Sequence, residues 1–254
     1  MGLKATRLDA NGPHSPRIAP GPLESDSRPG YTGHDQPEET TTVTEEMGLF
    51  DAMYNCRAMR RMTAEPVAEE LLLKLIDAAN QAASGSNMQN GRWIVVRDLE
   101  QKAKLGELNR KVFEAYTAPA AGRAAALPHQ SAEARARMLD AVRWQAEHFA
   151  EIPAHVVACL EMGGPARDSF SAGAGAAGSI WPGVQNLLLA ARALGLAATP
   201  TTFAIADRKA AKEVLGLPET MEPFALIPVG WPAGKFGPVS RKPVAEIMRW
   251  DRWS

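Results

Sequence analysis

The sequence predicts an α+β fold, and three observations lead to that prediction. Hydrophobic residues make up 45% of the 254 residues, which is enough for a packed core. Segments with helical periodicity and short continuous apolar segments both occur along the chain. They do not alternate in the regular strand–helix–strand repeat that a doubly wound parallel sheet requires.

Residues 1–44 differ in composition from the rest of the chain. They are rich in Pro, Gly, Ser, Thr, Asp and Glu, and their apolar residues are isolated. Such a segment cannot bury enough apolar surface to offset the entropy lost on ordering. We therefore expect a disordered N-terminal tail at 1–44 and one folded domain at 45–254.

The folded domain begins with a short amphipathic helix over Leu49–Asn55, and Glu65–Val67 forms a turn. A second helix is predicted over Glu69–Ala83, because Leu72, Leu75, Ile76 and Ala79 share one stripe. Trp93–Arg97 is a continuous apolar segment and predicts a buried strand.

The middle of the domain contains two more helices and a second strand. Leu99–Leu108 and Glu133–Ala150 have helical patterns, and the Ala- and Pro-rich residues 117–132 between them are typical of a loop. Ala154–Glu161 is apolar almost throughout and predicts a core strand.

The last third begins with a strongly apolar helix over Pro182–Leu194. Pro182 suits the first turn of a helix, and Gly195 suits the position just after its end. Pro223–Gly230 predicts a third strand, and Val244–Ile247 is also strand-like.

The composition excludes several classes of function. The net charge of -1 provides no general attraction to nucleic acid or to an anionic membrane. Two distant cysteines exclude a disulfide framework, and the histidines lack metal-site spacing, so we expect His148 on a helix surface and His155 at a strand edge. No apolar segment is long enough to cross a membrane, and no signal peptide is evident. We expect a cytoplasmic protein.

Two polar segments indicate a binding site. Arg57, Arg60 and Arg61 place three guanidiniums within five residues, and such planar forks suit a phosphate. After the predicted second helix, residues 84–87 read Ser-Gly-Ser-Asn and offer backbone N–H groups and one side-chain amide. The arginine cluster alone is more simply explained as a solvated face. Together the two segments suggest a site for a phosphorylated planar cofactor.

Two other segments have simpler explanations. Gly173–Gly178 matches G-x-G-x-x-G, but no strand leads into it and no acidic residue follows at the required distance, so it is not a dinucleotide fingerprint. Gln185 and Asn186 lie within the apolar helix. They are either buried amides with satisfied hydrogen bonds, part of a subunit interface, or the edge of a cofactor site.

The order of several motifs resembles the FMN-dependent nitroreductase superfamily, from Met47 to the C-terminus. The motifs are residues 57–61 (Arg-Ala-Met-Arg-Arg), 84–89 (Ser-Gly-Ser-Asn-Met-Gln), 185–192 (Gln-Asn-Leu-Leu-Leu-Ala-Ala-Arg), 230–232 (Gly-Trp-Pro) and 241–244 (Arg-Lys-Pro-Val). The resemblance implies a central, mostly antiparallel sheet flanked by helices in an intertwined homodimer, with FMN bound at the interface. It also implies ping-pong hydride transfer from NAD(P)H to a small electron-poor aromatic acceptor, such as a nitroaromatic compound or a quinone.

The resemblance also assigns cofactor-binding residues. Arg57, Ala58 and Arg60 match the family's Arg-Ser-x-Arg, whose basic side chains hold the ribityl phosphate and the polar edge of the flavin. Ala58 replaces the usual Ser, so one hydroxyl contact is lost. Arg60 is expected to stabilise the reduced flavin at its N1–O2 edge. Arg241 matches a phosphate-binding arginine.

Two further segments complete the implied site. Ser84, Gly85 and Asn87 match a turn that the partner subunit supplies to the flavin. Thr201 and Thr202 lie where the family places backbone groups beside the flavin N5 and O4. The resemblance implies no metal, and it assigns no catalytic side chain because solvent can supply protons.

The turn departs from the family pattern at two places. Ala83 replaces a Pro, and Asn90–Gly91 replace Pro-Trp. We expect Arg92 or Trp93 to fill the space of the missing indole, since an empty apolar gap costs contacts.

Alternative functions remain open at this level. A degenerate relative can bind or store FMN without turnover. Other relatives are dehydrogenase-like, dehalogenating or flavin-fragmenting. A nucleic-acid-binding function is disfavoured, because no basic stripe with interleaved aromatic residues is present.

Overall fold

A computed structural model describes residues 47–118, 129–162 and 177–253. The tail predicted at 1–44 lies outside these residues. So do most of the G-x-G-x-x-G segment and residues 119–128 of the predicted loop.

Helices and strands alternate irregularly along the described residues. The helices are α1 (Leu49–Asn55), α2 (Glu69–Asn80), α3 (Leu99–Thr117), α4 (Ala132–Glu147), α5 (Trp181–Ala193), α6 (Arg208–Leu215) and α7 (Val244–Ile247). The strands are β1 (Gly91–Val96), β2 (Ala154–Glu161), β3 (Ala197–Ala198) and β4 (Met221–Gly230). Short 3₁₀ turns occupy Gly85–Asn87, Phe149–Glu151 and Phe203–Ile205.

The four strands form one antiparallel sheet in the order β1-β2-β4-β3. Val156 of β2 pairs with Val95 on one side and Ile227 on the other, which places β2 and β4 at the centre. The α+β class and the antiparallel sheet predicted from the sequence are therefore confirmed.

Both faces of the sheet are covered, as the continuous apolar strands predict. Val156 lies in one core cluster with Leu75 of α2 and Leu187 of α5. The next residue, Val157, lies in a second cluster with Leu105 of α3. Successive side chains of a strand point to opposite faces, so β2 links the two clusters.

The structure corrects the predictions for Val244–Ile247 and for the end of helix α3. Val244–Ile247 forms a single helical turn rather than a strand, and its residues are exposed, so no sheet edge pairs with it. Helix α3 continues past Leu108 to Thr117, because Phe113 extends its buried stripe.

Two elements were absent from the prediction. Helix α6 begins where the side chain of Asp207 accepts a hydrogen bond from the N–H of Ala210, and it ends at Gly216 with φ 63°. The two-residue strand β3 exists only because it pairs with β4. His155 was also misplaced: it lies in the central strand β2 and is fully buried.

Candidate functional site

A cleft of about 580 Å³ lies against the arginine-rich segment. Its lining includes Arg57, Ala58, Arg60, Arg61, Arg137 and Lys235, and no acidic residue of the described chain lines it. Arg61 is paired with Asp140, whereas no carboxylate in the described chain pairs with Arg57 or Arg60. The cleft therefore carries uncompensated positive charge and suits an anionic ligand.

Arg60 lies where this cleft meets a second cavity of about 220 Å³. Its side chain is half-buried, and burial lowers the pKa of the guanidinium, although the nearby Tyr116 opposes this shift. An arginine nevertheless keeps its charge in a protein. A desolvated cation without a carboxylate partner is costly, so this position favours a ligand that supplies negative charge.

The second cavity contains buried amides that the sequence analysis did not single out. Asn109 of α3 is 4% exposed, Gln145 of α4 is 5% exposed, and the Nε2 of Gln145 has no hydrogen-bond partner in the described structure. A buried donor without a partner costs free energy unless a ligand or water accepts from it. Asn109 lies between Leu105 and Phe113 on the buried stripe of α3, and a polar residue at such a position was a signal that could have revealed it.

Thr201 and Thr202 line the same cavity as Arg60. Thr201 exchanges backbone hydrogen bonds with Leu226 of β4, at 2.8 and 2.9 Å, so the central sheet fixes this segment. The side chain of Thr199 donates to the carbonyl of Met59 at 2.8 Å and ties the segment to the arginine motif. The structure thus brings Arg57, Ala58, Arg60, Thr201 and Thr202 to one connected region.

The turn at residues 84–87 lies elsewhere in the chain. Ser84 lines a third cavity of about 30 Å³, and neither Gly85 nor Asn87 lines the arginine cleft or the second cavity. Within one chain, the turn and the arginines therefore do not form a common cavity.

The turn is well fixed even though it lacks the family's prolines. The N–H of Gly85 donates to Ser179 Oγ and the N–H of Gln89 donates to Ser84 Oγ, both at 3.0 Å. Ser86, Asn87 and Gln89 have φ values of 51°, 53° and 50°. Such left-handed residues are uncommon and persist only where the surroundings hold them, often at functional sites.

Two neighbouring side chains lie beside Gly91, and one of them is Trp93, one of the two residues expected there. A Cβ on Gly91 would lie 3.8 Å from the indole nitrogen of Trp93 and 3.7 Å from Ile180. Trp93 and Ile180 therefore both lie beside Gly91, and all three line the cavity of about 30 Å³.

Arg241 lies in the C-terminal segment, which returns to the arginine motif. The N–H of Val239 donates to the carbonyl of Tyr54 at 2.9 Å, and a Cβ on Gly237 would lie 3.6 Å from Nη1 of Arg57. The Arg241 side chain is exposed and contacts only its neighbour's carbonyl, that of Ser240, within the described residues. The segment that carries Arg241 thus passes beside Arg57.

The two amides of α5 have different surroundings. Asn186 donates to the carbonyl of Ala78 in α2 at 3.2 Å, so it is a satisfied structural amide. Gln185 is exposed.

Over the described residues, no helix is long and apolar enough to cross a membrane.

Comparison with known proteins identifies the family. The model of the nitroreductase family matches residues 55–231. The chain is also 30% identical, over 197 residues, to an NADH dehydrogenase of Thermus thermophilus, covering 76% of this chain and 91% of that protein.

Solved structures show the same fold. An iodotyrosine deiodinase bound to FMN and 3-iodo-L-tyrosine aligns with a TM-score of 0.60 and 23% identity, covering 81% of this chain and 100% of the other. The NADPH:FMN oxidoreductase of Vibrio harveyi, complexed with NAD+, aligns with a TM-score of 0.61 and 18% identity, covering 81% and 78%. The matched residues include the arginine motif from Arg57 to Arg61, all the residues that line the second cavity and the whole four-stranded sheet, and the chain therefore belongs to the nitroreductase family.

Proposed function

We propose that this chain is an FMN-dependent oxidoreductase that uses NAD(P)H to reduce small, electron-poor aromatic acceptors such as nitroaromatic compounds or quinones. One observation carries the proposal. Arg60, half-buried and without a carboxylate partner among the described residues, lies at the junction of a cationic cleft and a cavity lined by buried amides. A ligand with an anionic group and a ring with several carbonyl oxygens, as in FMN, matches these donors.

The side chains around the cleft fit the parts of FMN. Arg57 and Arg241 would hold the phosphate, since each offers a fork of charged donors. Arg60 would donate to the polar edge of the ring, and Ala58 leaves the space beside the arginines open. The backbone at Thr201 and Thr202 would line the ring, held in place by the sheet.

When bound, FMN supplies two-electron chemistry, taking a hydride from a reduced nicotinamide and delivering it to an acceptor. The protein's part is positioning and electrostatics. The positive charge of Arg60 favours negative charge at the edge of the ring that it faces. Helices α3 and α4 contribute walls of the second cavity, among them the buried amides of Asn109 and Gln145.

We also propose that the active form is a homodimer in which the partner supplies Ser84, Gly85 and Asn87. The supporting observation is that this turn is rigidly held and yet lies away from the arginine cleft of its own chain. In addition, α1 exposes Phe50 and Tyr54 by 69% and 64%. Apolar surface of this kind is typical of a subunit interface.

The test begins with the purified protein. A yellow protein that releases FMN on denaturation, and that bleaches anaerobically with NADH or NADPH, supports the proposal. Arg60→Met should lower FMN affinity about tenfold or more, because a charge-assisted hydrogen bond contributes roughly 1.5–3 kcal/mol.

Arg97→Met is the matched control. Arg97 is half-exposed, pairs with Glu69 at 3.6 Å and lines neither cavity, so its loss should leave FMN affinity unchanged. A colourless protein that cannot be reconstituted with FMN would refute the proposal. A yellow protein that no reduced nicotinamide bleaches would instead indicate FMN storage.

Reductive dehalogenation is the second candidate. The favouring observation is the likeness to an iodotyrosine deiodinase fold together with the polar second cavity, which can hold a phenol oxygen. Release of halide from a halogenated phenol, with no reduction of nitroaromatic compounds or quinones, would favour this activity over the first.

A further inference from the structure

Three arginines from separate parts of the chain converge around Cys56. The thiol of Cys56 donates to the carbonyl oxygen of Leu188 at 3.5 Å, and this contact places the middle of α5 beside the arginine motif. Arg57 follows Cys56 directly, and Arg192 lies one turn beyond Leu188 on α5. Arg241 belongs to the C-terminal segment, in which the N–H of Val239 donates to the carbonyl of Tyr54, two residues before Cys56, at 2.9 Å.

The C-terminal segment connects two of these arginines. The guanidinium carbon of Arg192 lies 4.2 Å from the ring centre of Phe236. A Cβ on the next residue, Gly237, would lie 3.6 Å from Nη1 of Arg57. Arg192 thus packs on the side chain of Phe236, and Arg57 lies beside the next residue, Gly237, of the same segment.

The charges of Arg192 and Arg241 also influence the Cys56 thiol. Burial raises the pKa of the Cys56 thiol, and the positive charges of Arg192 and then Arg241 oppose this shift. Because the raised pKa keeps the thiol neutral at physiological pH, Cys56 does not compensate the positive charge.

No carboxylate of the described chain compensates these cations. Its ion pairs involve other arginines and lysines, and the Nε of Arg192 is buried without a hydrogen-bond partner. Like charges held together repel each other, and an unpartnered buried donor costs free energy. A phosphate monoester carries nearly two negative charges and several acceptor oxygens, so it would relieve both penalties.

We propose that Arg192, together with Arg57 and Arg241, forms a binding site for a phosphate monoester. This inference deepens the proposed function, in which that phosphate belongs to FMN. The family resemblance assigns no role to Arg192. In this proposal Arg192 supplies the third positive charge of the site, from α5. The stacking on Phe236 limits the positions of its side chain and so lowers the entropy lost on binding.

The test uses the full chain freed of flavin. Arg192→Met removes the charge but keeps an apolar side chain against Phe236, whereas Arg192→Lys keeps the charge without the fork. Arg97→Met serves as the distant control. Dissociation constants for FMN and for riboflavin, which has no phosphate, are measured by quenching of flavin fluorescence.

We expect Arg192→Met to weaken FMN binding roughly ten- to a hundredfold and to leave riboflavin binding unchanged. Arg192→Lys should fall between Arg192→Met and the parent. Added salt should weaken FMN binding more in the parent than in Arg192→Met, because the variant lacks one partner for the phosphate charge. Equal losses for FMN and riboflavin, or an unchanged FMN affinity, would overturn the proposal.

A second arm is independent of the flavin. Inorganic phosphate at increasing concentration should raise the melting temperature of the parent and of Arg97→Met, but raise that of Arg192→Met much less. If the parent binds neither FMN nor riboflavin, the proposed function is wrong. The phosphate titration then tests by itself whether Arg192 binds phosphate. An equal rise in parent and Arg192→Met, or no rise in either, would refute the phosphate site.

Discussion

Gln145 shows how a single residue in a helix of ordinary composition can define a binding cavity. Its buried Nε2 has no partner in the described structure, and it faces the cavity that Arg60 and Asn109 share. Such a donor lowers the stability of the ligand-free protein and raises the affinity of a ligand that accepts a hydrogen bond from it. Its effects on stability and on binding should therefore have opposite signs.

Gln145→Leu should leave the melting temperature of the flavin-free protein unchanged or higher, because it removes an unsatisfied buried donor. The same change should raise the KM of an oxygen-bearing acceptor several-fold, since one hydrogen bond contributes about 0.5–1.5 kcal/mol. Thermal unfolding and steady-state kinetics measure the two effects. Gln101→Leu, a change on α3 that affects neither cavity, is the control for both. A lower melting temperature for Gln145→Leu would mean that the amide is structural.

His155 provides a second test at the scale of one residue. Its Nε2 donates to the carbonyl of Phe149 at 3.0 Å, and its Nδ1 is buried without a partner. Burial lowers the pKa of His155 to about 3, against the usual 6.5; the hydrogen bond to Phe149 opposes this, and the nearby Lys102 adds to it. The folded protein thus keeps this imidazole neutral where the unfolded chain protonates it.

The free energy of unfolding should therefore fall as the pH drops from about 6.5 toward 3. In this window the unfolded state binds one more proton at His155, which costs up to about 1.4 kcal/mol per pH unit. His155→Gln keeps a donor to Phe149 but does not titrate. Denaturant unfolding between pH 7 and pH 4 should show a shallower decline for the variant. Parallel declines in the two proteins would show that His155 does not control acid stability.

At the scale of elements, α2 and α5 are packed so closely that only glycine fits between them at residue 183. A Cβ there would lie 2.9 Å from the backbone oxygen of Ala79 and 3.0 Å from the ring of Trp93. The same Trp93 fills the space beside Gly91. One indole thus links the contact between the helices to the turn at residues 84–89.

Gly183→Ala should destabilise the protein by about 1–3 kcal/mol, although alanine favours helices by about 1 kcal/mol over glycine. The reason is that a backbone atom, which cannot move aside, occupies the space. Gly91→Ala is the matched control, because its Cβ would meet only ordinary contacts at 3.7 and 3.8 Å. Melting temperatures of the two variants compare the effects. Equal melting temperatures would mean that α2 and α5 can separate at no cost.

At the scale of the whole molecule, large apolar side chains are exposed in the first helix of the domain and in its C-terminal segment. The C-terminal segment exposes Trp250 by 81% and Trp253 by 70%, and α1 exposes Phe50 by 69%. A single chain in water gains nothing from this arrangement. The proposed homodimer would bury these side chains against a second copy.

Trp250→Ser combined with Trp253→Ser should therefore shift the protein toward monomer at micromolar concentration, as measured by sedimentation velocity. Loss of two buried indoles weakens an interface by several kcal/mol, on the order of 3 kcal/mol or more for each in a well-packed site. Leu99→Ser removes an equally exposed side chain, 71% accessible, from the start of α3 and should not change the association. A monomeric parent that still binds FMN would contradict the dimer.

Patterns within short stretches of sequence determined much of the fold. Helix α1 has the predicted bounds, and β2 runs over Ala154–Glu161 as expected, because these segments carry their own periodicity or apolar character. Val244–Ile247 was mistaken for a strand, since four apolar-rich residues fit either structure and only a pairing partner decides. The motifs at Arg57–Arg61 and Thr201–Thr202 were recognisable because the residues of each are close together in sequence.

Only the tertiary structure decided which distant side chains share a site. Asn109, Gln145 and Arg60 meet at one cavity from three separate segments, and Arg192 and Arg57 lie against the adjacent residues Phe236 and Gly237. No local pattern encodes such a meeting, because it depends on how α3, α4 and α5 pack on the sheet. The physical reason is that propensity and periodicity act over a few residues, whereas burial and uncompensated charge depend on neighbours that the fold brings from far along the chain.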